Sequence, residues 1–158
     1  MILIIRPKKE SDGLALDLKK NRYRVHKEPF VRFKKLYPTI KFNSDCHYLI
    51  SSAQAVHFIK RKKNFIKNGK FLVIGTKIKK ELISIGVKKI EFVFQDSYQL
   101  LSFLQKNKKI KFIRHLTGTI NNDVLSKIKK RNSVKYLTTR VYEVKFNQMC
   151  GGIPGIQR

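Results

Sequence analysis

The sequence predicts an α/β fold organised around a parallel β-sheet. Short apolar runs alternate with segments whose apolar residues recur at helical spacing, and the clearest example is residues 71–106. There an apolar run at 71–74 stops at Gly75-Thr76, a helical pattern follows, and a second apolar run occupies 90–94. Runs without polar alternation indicate strands that are buried on both faces, and strands that alternate with helices pair in parallel through right-handed crossovers.

The N-terminal segment predicts an incomplete second α/β lobe. Residues 2–5 form a short apolar strand, and Ser11 or Asp12 can cap the helix that follows it. Residues 23–27 form a candidate second strand. Because two or three strands with one helix are marginal by themselves, this βαβ segment at 1–35 needs further chain to complete its sheet.

The middle of the chain predicts a complete, flavodoxin-like lobe at 36–146. Residues 34–45 contain Pro38 and no helical period, which indicates a connector between the lobes. The final residues, 147–158, hold three glycines and one proline and predict an irregular tail. Besides residues 71–106, the lobe contains a strand at 48–50, a helix at 53–63, a strand at 110–113, a helix whose apolar face is Ile120, Val124 and Ile128 with Leu125 beside it, and a last strand at 134–144.

The charge of the chain predicts an anionic partner. Its 36 basic and 10 acidic residues give a formal net charge of +26, which must produce a positive field over much of the surface. The competing interpretation is that most lysines are solvated residues on the outer faces of helices. No apolar run is long enough to cross a bilayer and no export signal is present, so the two cysteines, Cys46 and Cys150, fit a reducing cytoplasm.

Familiar catalytic and cofactor motifs are missing from the sequence. Neither glycine-rich nucleotide-binding fingerprint is present, and the four histidines have no metal-ligand spacing, so neither a nucleotide site nor a metal site is predicted. The ten acidic residues are thinly spread and suggest no catalytic carboxylate pair. A Ser-His-Asp arrangement stays open, although the sequence contains no G-x-S-x-G motif. A reaction driven by binding and electrostatic preorganisation is compatible with this pattern.

Three predicted strand ends share small, hydroxyl-bearing residues. The carboxyl ends of parallel strands meet at one edge of a sheet, where loops and helix N-termini leave backbone N–H groups available to an anion. The competing interpretation is that serine and threonine are ordinary helix N-caps. Together, under a basic field, the three turns predict a carboxylate or phosphate site. They are Ser51-Ser52, Gly75-Thr76 and Thr117-Gly118-Thr119.

The order of several short motifs resembles the uroporphyrinogen-III synthase family. Each motif is individually weak, but their order extends over about 140 residues of this chain. The matching segments are Arg6-Pro7 after the first strand, LISSAQAV at 49–56, Val73-Ile74-Gly75 with Leu82 and Ile85-Gly86, SYQLL at 97–101, and FIR at 112–114 followed by Asp123, Leu125 and Val141-Tyr142.

The resemblance implies a two-lobed lyase of tetrapyrrole (heme) biosynthesis located in the cytoplasm. Its reaction would convert hydroxymethylbilane, a small polycarboxylate, to uroporphyrinogen III by closing the macrocycle with loss of water and inversion of ring D. The family uses no metal or organic cofactor, and its cleft tyrosine, which corresponds to Tyr142, is thought to assist departure of the hydroxyl group. The implied substrate-binding residues are Arg6, Ser51, Ser52, Ala53, Gly75, Thr76, Arg114 and Thr117.

Three departures from the family pattern bear on activity. Ile78 stands where the family has a threonine, and Glu143 stands where it has an arginine. The family also continues through further βα units after Phe146, which predicts either a shortened member of reduced activity or completion of the first lobe by a second chain.

The alternative function is a basic nucleic-acid-binding α/β module without enzymatic activity. Cations and aromatic residues are interleaved in two places, and such pairs can bind phosphate and stack on bases. No recognised nucleic-acid motif accompanies them, so the leading interpretation expects only non-specific binding and no membrane partner. The two segments are Arg22-Tyr23-Arg24 and Arg32-Phe33-Lys34-Lys35.

Overall fold

The computed structural model describes residues 1–4, 8–28, 30–120, 125, 127–128 and 134–146. The chain divides into two compact units. The larger unit comprises residues 35–143, and the smaller unit combines residues 1–34 with the chain from Val144 onward. Within the described ranges, no helix combines the length and the apolar character needed to cross a bilayer.

The smaller unit contains a short parallel strand pair and one helix. Strand β1 (Ile2–Ile4) pairs with β2 (Val25–Lys27), and helix α1 (Lys8–Lys20) connects them. The helix begins before Ser11, which is buried within it, so the prediction of an N-cap at Ser11 or Asp12 is wrong. Asp12 instead accepts a hydrogen bond from the Lys27 ammonium at 2.7 Å.

The larger unit is built on a five-stranded parallel sheet, which confirms the predicted α/β class. After β3 (Val31–Lys35), the elements are β4 (His47–Ile50), α2 (Ala53–Ile59), α3 (Lys63–Asn68), β5 (Lys70–Ile74), α4 (Thr76–Ser84), β6 (Ile90–Phe94), α5 (Ser97–Lys106), β7 (Phe112–Thr117), β8 (Lys135–Arg140) and β9 (Tyr142–Phe146). The strand order of the five-stranded sheet is β6-β5-β4-β7-β8, so β4 lies at the centre and pairs with both β5 and β7. Strand β3 pairs with β9 in a separate two-stranded sheet, most of whose residues belong to the smaller unit.

Both faces of the central strand are buried, as its apolar sequence predicts. Successive side chains of a strand point to opposite faces. On one face, Leu49 packs with Leu72 and Ile113 in the main hydrophobic core. On the other face, the Tyr48 ring lies 4.8 Å from the Phe65 ring and 6.0 Å from the Phe71 ring, measured between centroids.

The last predicted strand is in fact two strands in different sheets. Residues 134–144 were expected to form one strand, but β8 ends at Arg140 and β9 begins at Tyr142. Buried Val141 lies between them, where its N–H donates to the Thr117 carbonyl and its carbonyl accepts from the Leu36 N–H. The extended chain therefore changes its pairing partner at Val141, where neither a glycine nor a proline marks a turn.

Two other element boundaries differ from expectation. Strand β7 spans Phe112–Thr117 instead of 110–113 because its parallel pairing with β8 continues to Thr117. The basic segment after α2 contains the separate helix α3, whose Phe65 is buried. Of the helix predicted after Thr119, Leu125 and Ile128 are helical and buried, Ile120 is exposed, and Val124 lies outside the described residues.

Candidate functional site

A cavity of about 390 Å³ opens at the carboxyl edge of the parallel sheet, within the larger unit. The residues around it follow, or end, four strands of the sheet, so the cavity occupies the position at which open parallel sheets usually bind ligands. Its walls combine hydroxyl, amide and carboxylate groups with a few apolar side chains. They are formed by Ser51, Ser52, Ile74, Gln95, Asp96, Ser97, His115, Thr117, Ile120, Leu125 and Tyr142.

A chain of three hydrogen-bonding side chains runs from the cavity into the sheet. The Ser51 hydroxyl lies 2.7 Å from His115 Nε2, and His115 Nδ1 lies 2.7 Å from the Tyr136 hydroxyl. His115 is only 2% exposed, and Tyr136 is buried as well. Both ring nitrogens of His115 therefore have partners, and the imidazole fixes the position of the Ser51 hydroxyl at the cavity wall.

Burial determines the protonation of this chain. It lowers the pKa of His115 from 6.5 to about 4, so the imidazole is neutral at pH 7. Burial also raises the pKa of Tyr136, which therefore stays a neutral phenol. A serine hydrolase needs a base that accepts a proton and a partner that stabilises the resulting imidazolium. This trio provides neither, so it is suited to orienting the Ser51 hydroxyl as a hydrogen-bonding group.

The neutral imidazole has two possible tautomers with different consequences at the cavity. When Nε2 carries the proton, it donates to the Ser51 oxygen, and the serine hydroxyl hydrogen can then point to a bound anion. When Nδ1 carries the proton, it donates to the Tyr136 oxygen, and Ser51 donates to Nε2. A carboxylate ligand favours the first tautomer because it needs a donor.

Tyr142 enters the cavity wall from the first position of β9. Its ring packs directly over Gly118, where an added Cβ would lie only 2.3 Å from a ring carbon of the tyrosine. Gly118 thus leaves the space that the tyrosine ring occupies. The turn Thr117-Gly118-Thr119 after β7 therefore has a steric role in addition to any hydrogen bonding.

Two helices begin at the cavity with side-chain caps. The Ser52 hydroxyl accepts from the Gln54 N–H at 3.2 Å at the start of α2, and an Asp96 carboxylate oxygen accepts from the Gln99 N–H at 2.8 Å at the start of α5. Asp96 is the one acidic side chain among the described residues that line the cavity, and the N-terminus of α5 offsets part of its negative charge. These caps agree with the competing interpretation of Ser52 as an N-cap, although Ser52 also faces the cavity.

The predicted site residues fall into three groups. Four of them line the same cavity: Ser51, Ser52, Thr117 and Tyr142. Three others lie near the same edge but outside the lining, namely Ala53, Gly75 and Thr76; the Gly75 N–H donates to the Phe94 carbonyl at 2.8 Å, and Thr76 is exposed. Arg114 lines a different cavity, and Arg6 lies outside the described residues.

Sequence reasoning missed His115 and Tyr136. The four histidines appear scattered along the chain, and only the pairing of β4 with β7 and of β7 with β8 brings His115 to Ser51 and Tyr136. A polar residue inside the apolar run of β7 was the available signal, since a buried histidine needs hydrogen-bond partners. No group of three or more potential metal ligands occurs among the residues that the structure describes.

Comparison with solved structures relates the fold to one enzyme family. A uroporphyrinogen III synthase mutant from Thermus thermophilus superposes with a TM-score of 0.64 at 13% sequence identity, covering 92% of this chain and 63% of that protein. A uroporphyrinogen-III synthetase from Helicobacter pylori gives a TM-score of 0.51 at 15% identity, covering 80% of this chain and 58% of that protein. No family model and no curated protein sequence matches the chain. The likeness therefore establishes a shared fold, and this chain spans under two thirds of either enzyme.

Proposed function

We propose that this protein binds hydroxymethylbilane and promotes its cyclisation to uroporphyrinogen III. The observation that carries the proposal is the convergence of Ser51, Ser52, Thr117 and Tyr142 on one cavity. These residues come from segments far apart in the sequence. The similarity of the fold to two enzymes named for this reaction supports the same choice.

The chemistry of the cavity fits a polycarboxylate. Hydroxyl groups of Ser51, Ser52 and Thr117 can donate to carboxylate oxygens, and the net charge of +26 favours the approach of an anion. With a volume of about 390 Å³, the cavity is at the small end of the range for ligand sites, so it holds a part of the open tetrapyrrole. The remainder of the substrate then extends beyond the cavity.

In the proposed reaction, Tyr142 assists departure of the hydroxyl group. The bond between the terminal methylene and the hydroxyl oxygen breaks, and this oxygen leaves as water after gaining a proton. A phenol hydroxyl at the cavity wall can donate a hydrogen bond, or the proton itself, to the leaving oxygen. Because ring D is inverted in the product, the freed methylene bonds to the ring D carbon that already carries the neighbouring methylene bridge. That bridge bond then breaks and re-forms at the unsubstituted carbon of ring D, and the proton lost there balances the one consumed.

The direct test is the isomer composition of the product. Hydroxymethylbilane generated in situ should give uroporphyrinogen III in the presence of this protein, whereas spontaneous closure gives uroporphyrinogen I. After oxidation, chromatography separates the two porphyrins. Formation of isomer I alone, at every protein concentration used, would contradict the proposed function.

Replacing Tyr142 by phenylalanine should lower turnover by roughly tenfold, because it removes one hydrogen bond of about 1.4 kcal/mol to the leaving oxygen. Substrate affinity should change less, since the ring remains. The matched control is Tyr98→Phe, which removes the same hydroxyl from an exposed tyrosine on α5. Equal rates for both variants would remove Tyr142 from the mechanism and leave the product assay to decide the function itself.

A further inference from the structure

A second cavity, of about 730 Å³, lies beside the loop that precedes β4 in the larger unit. This loop leads into the amino end of β4, whereas the candidate site lies beyond its carboxyl end. Arg114 projects toward this second cavity, and its neighbour His115 points to the opposite face of the sheet. The cavity is formed by Thr39, Lys41, Phe42, Asn43, Ser44 and Arg114.

Arg114 brings a positive charge that has no countercharge among the described residues, and its guanidinium carbon lies 6.0 Å from the centroid of the Phe112 ring. Its Nε is buried and has no hydrogen-bond partner, and within the described ranges no carboxylate forms an ion pair with its guanidinium. Two titratable groups lie close to it, Cys46 and Tyr48. Burial raises the pKa of Cys46 to about 11 and also raises the pKa of Tyr48, so both are neutral at pH 7. A partly buried cation without a countercharge is destabilising, and a bound anion would offset that effect.

The loop that faces Arg114 is held in place from the core. The Asn43 N–H donates to the Tyr48 hydroxyl at 2.9 Å, and this hydroxyl donates to the Asn43 carbonyl at 3.3 Å. The Asn43 side-chain oxygen accepts from the Asp45 N–H at 2.7 Å, which directs the amide nitrogen of the same side chain away from that turn. The anchored loop therefore presents donor groups around the cavity before any ligand binds.

We propose that this cavity binds a phosphomonoester, with the phosphate group held by Arg114 and Lys41. The planar guanidinium supplies several donors in a fixed geometry that suits phosphate oxygens, and the ammonium adds a second positive charge. Hydroxyl and amide groups of Thr39, Asn43 and Ser44 extend the donor set beyond what the two oxygens of a carboxylate need. The volume exceeds that of a phosphate ion, and the half-buried Phe42 ring offers an apolar wall for the organic part of the ligand.

Calorimetric titration with phenyl phosphate, at constant ionic strength, tests the proposal. We expect saturable binding of one molecule per chain and a weaker affinity for inorganic phosphate. Arg114→Gln should weaken binding by about tenfold or more, since it removes a charge-assisted, two-pronged contact. Lys41→Gln should weaken it by a smaller factor. Because Lys41 is exposed on the loop, this second variant keeps the test decisive if the Arg114 variant does not fold.

The matched control is Lys79→Gln, which removes one charge from an exposed position on α4. Its affinity for phenyl phosphate should equal that of the wild type. An equal loss in Lys41→Gln, Arg114→Gln and Lys79→Gln, or binding that does not saturate, would show that net charge alone attracts phosphate and would overturn the proposal. The proposal would also be overturned if Arg114→Gln weakened the binding of a single-stranded oligonucleotide but left the affinity for phenyl phosphate unchanged. None of these outcomes bears on the cyclisation assay.

Discussion

Lowering the pH from 7 to 4 is expected to reduce the free energy of unfolding of the larger unit by about 3 kcal/mol through His115 alone. Burial lowers the pKa of this imidazole from 6.5 to about 4 in the folded state. Between these two values the unfolded chain binds a proton that the folded protein excludes, so acid favours unfolding. This contribution to stability is fully present above pH 6.5 and is lost as the pH falls toward 4.

Burial is the cause of the lowered pKa of His115, and the Asp96 carboxylate that lines the same cavity accepts a hydrogen bond from the Gln99 N–H at the start of α5. The groups that face the two nitrogens of His115 are the hydroxyls of Ser51 and Tyr136, and neither can stabilise an imidazolium as a carboxylate would. Protonation would make both ring nitrogens donors, so Ser51 and Tyr136 would both accept, and the hydroxyl that donates to the neutral ring would lose that acceptor.

Urea unfolding of wild type and His115→Gln across this pH range isolates the contribution. The unfolding free energy of the wild type minus that of the variant should fall as the pH falls, because only the wild type has this imidazole to titrate. His57→Gln, at an exposed position of α2, is the matched control and should keep the pH dependence of the wild type. If His115→Gln loses stability with acid as steeply as the wild type, the histidine is not the group responsible.

Local sequence patterns predicted the sheet well because its strands are short, apolar and bounded by clear turns. Strand β5 was predicted from the apolar run at 71–74, and its end was predicted from Gly75, whose φ of +99° favours glycine. The break between β8 and β9 was not predicted, because no glycine or proline stands near Val141 and its change of hydrogen-bond partners is visible only in the structure.

The candidate site was predictable to the extent that it lies at strand ends. Parallel pairing guarantees that Ser51 and Thr117 meet at one edge, whatever the rest of the fold. Arg114 illustrates what the sequence alone could not determine. It sits within β7, where the face to which a side chain points depends on register, and the alternation that brings His115 to the candidate site directs Arg114 to another cavity.

Replacing Gly118 by alanine should lower the free energy of unfolding by about 2 kcal/mol, which is typical of forcing a methyl group into a filled space. The added Cβ would lie within 2.3 to 2.9 Å of three carbons of the Tyr142 ring, so the ring must move. We expect the same displacement to lower turnover on hydroxymethylbilane more than Tyr142→Phe does, because it shifts the whole ring instead of removing one hydroxyl.

A double-mutant cycle shows whether the tyrosine ring is the cause. In a Tyr142→Ala background the obstructing atoms are absent, so Gly118→Ala should have little further effect on stability, and the coupling energy should approach about 2 kcal/mol. Gly13→Ala is the control, because nothing lies within 4 Å of its added Cβ and its place inside α1 predicts a gain of about 0.5 to 1 kcal/mol. Additive losses in the cycle would mean that Gly118 is required for its backbone and not for the ring above it. Non-additive losses would support the steric role of Gly118, which is to leave the space that lets Tyr142 reach the cavity.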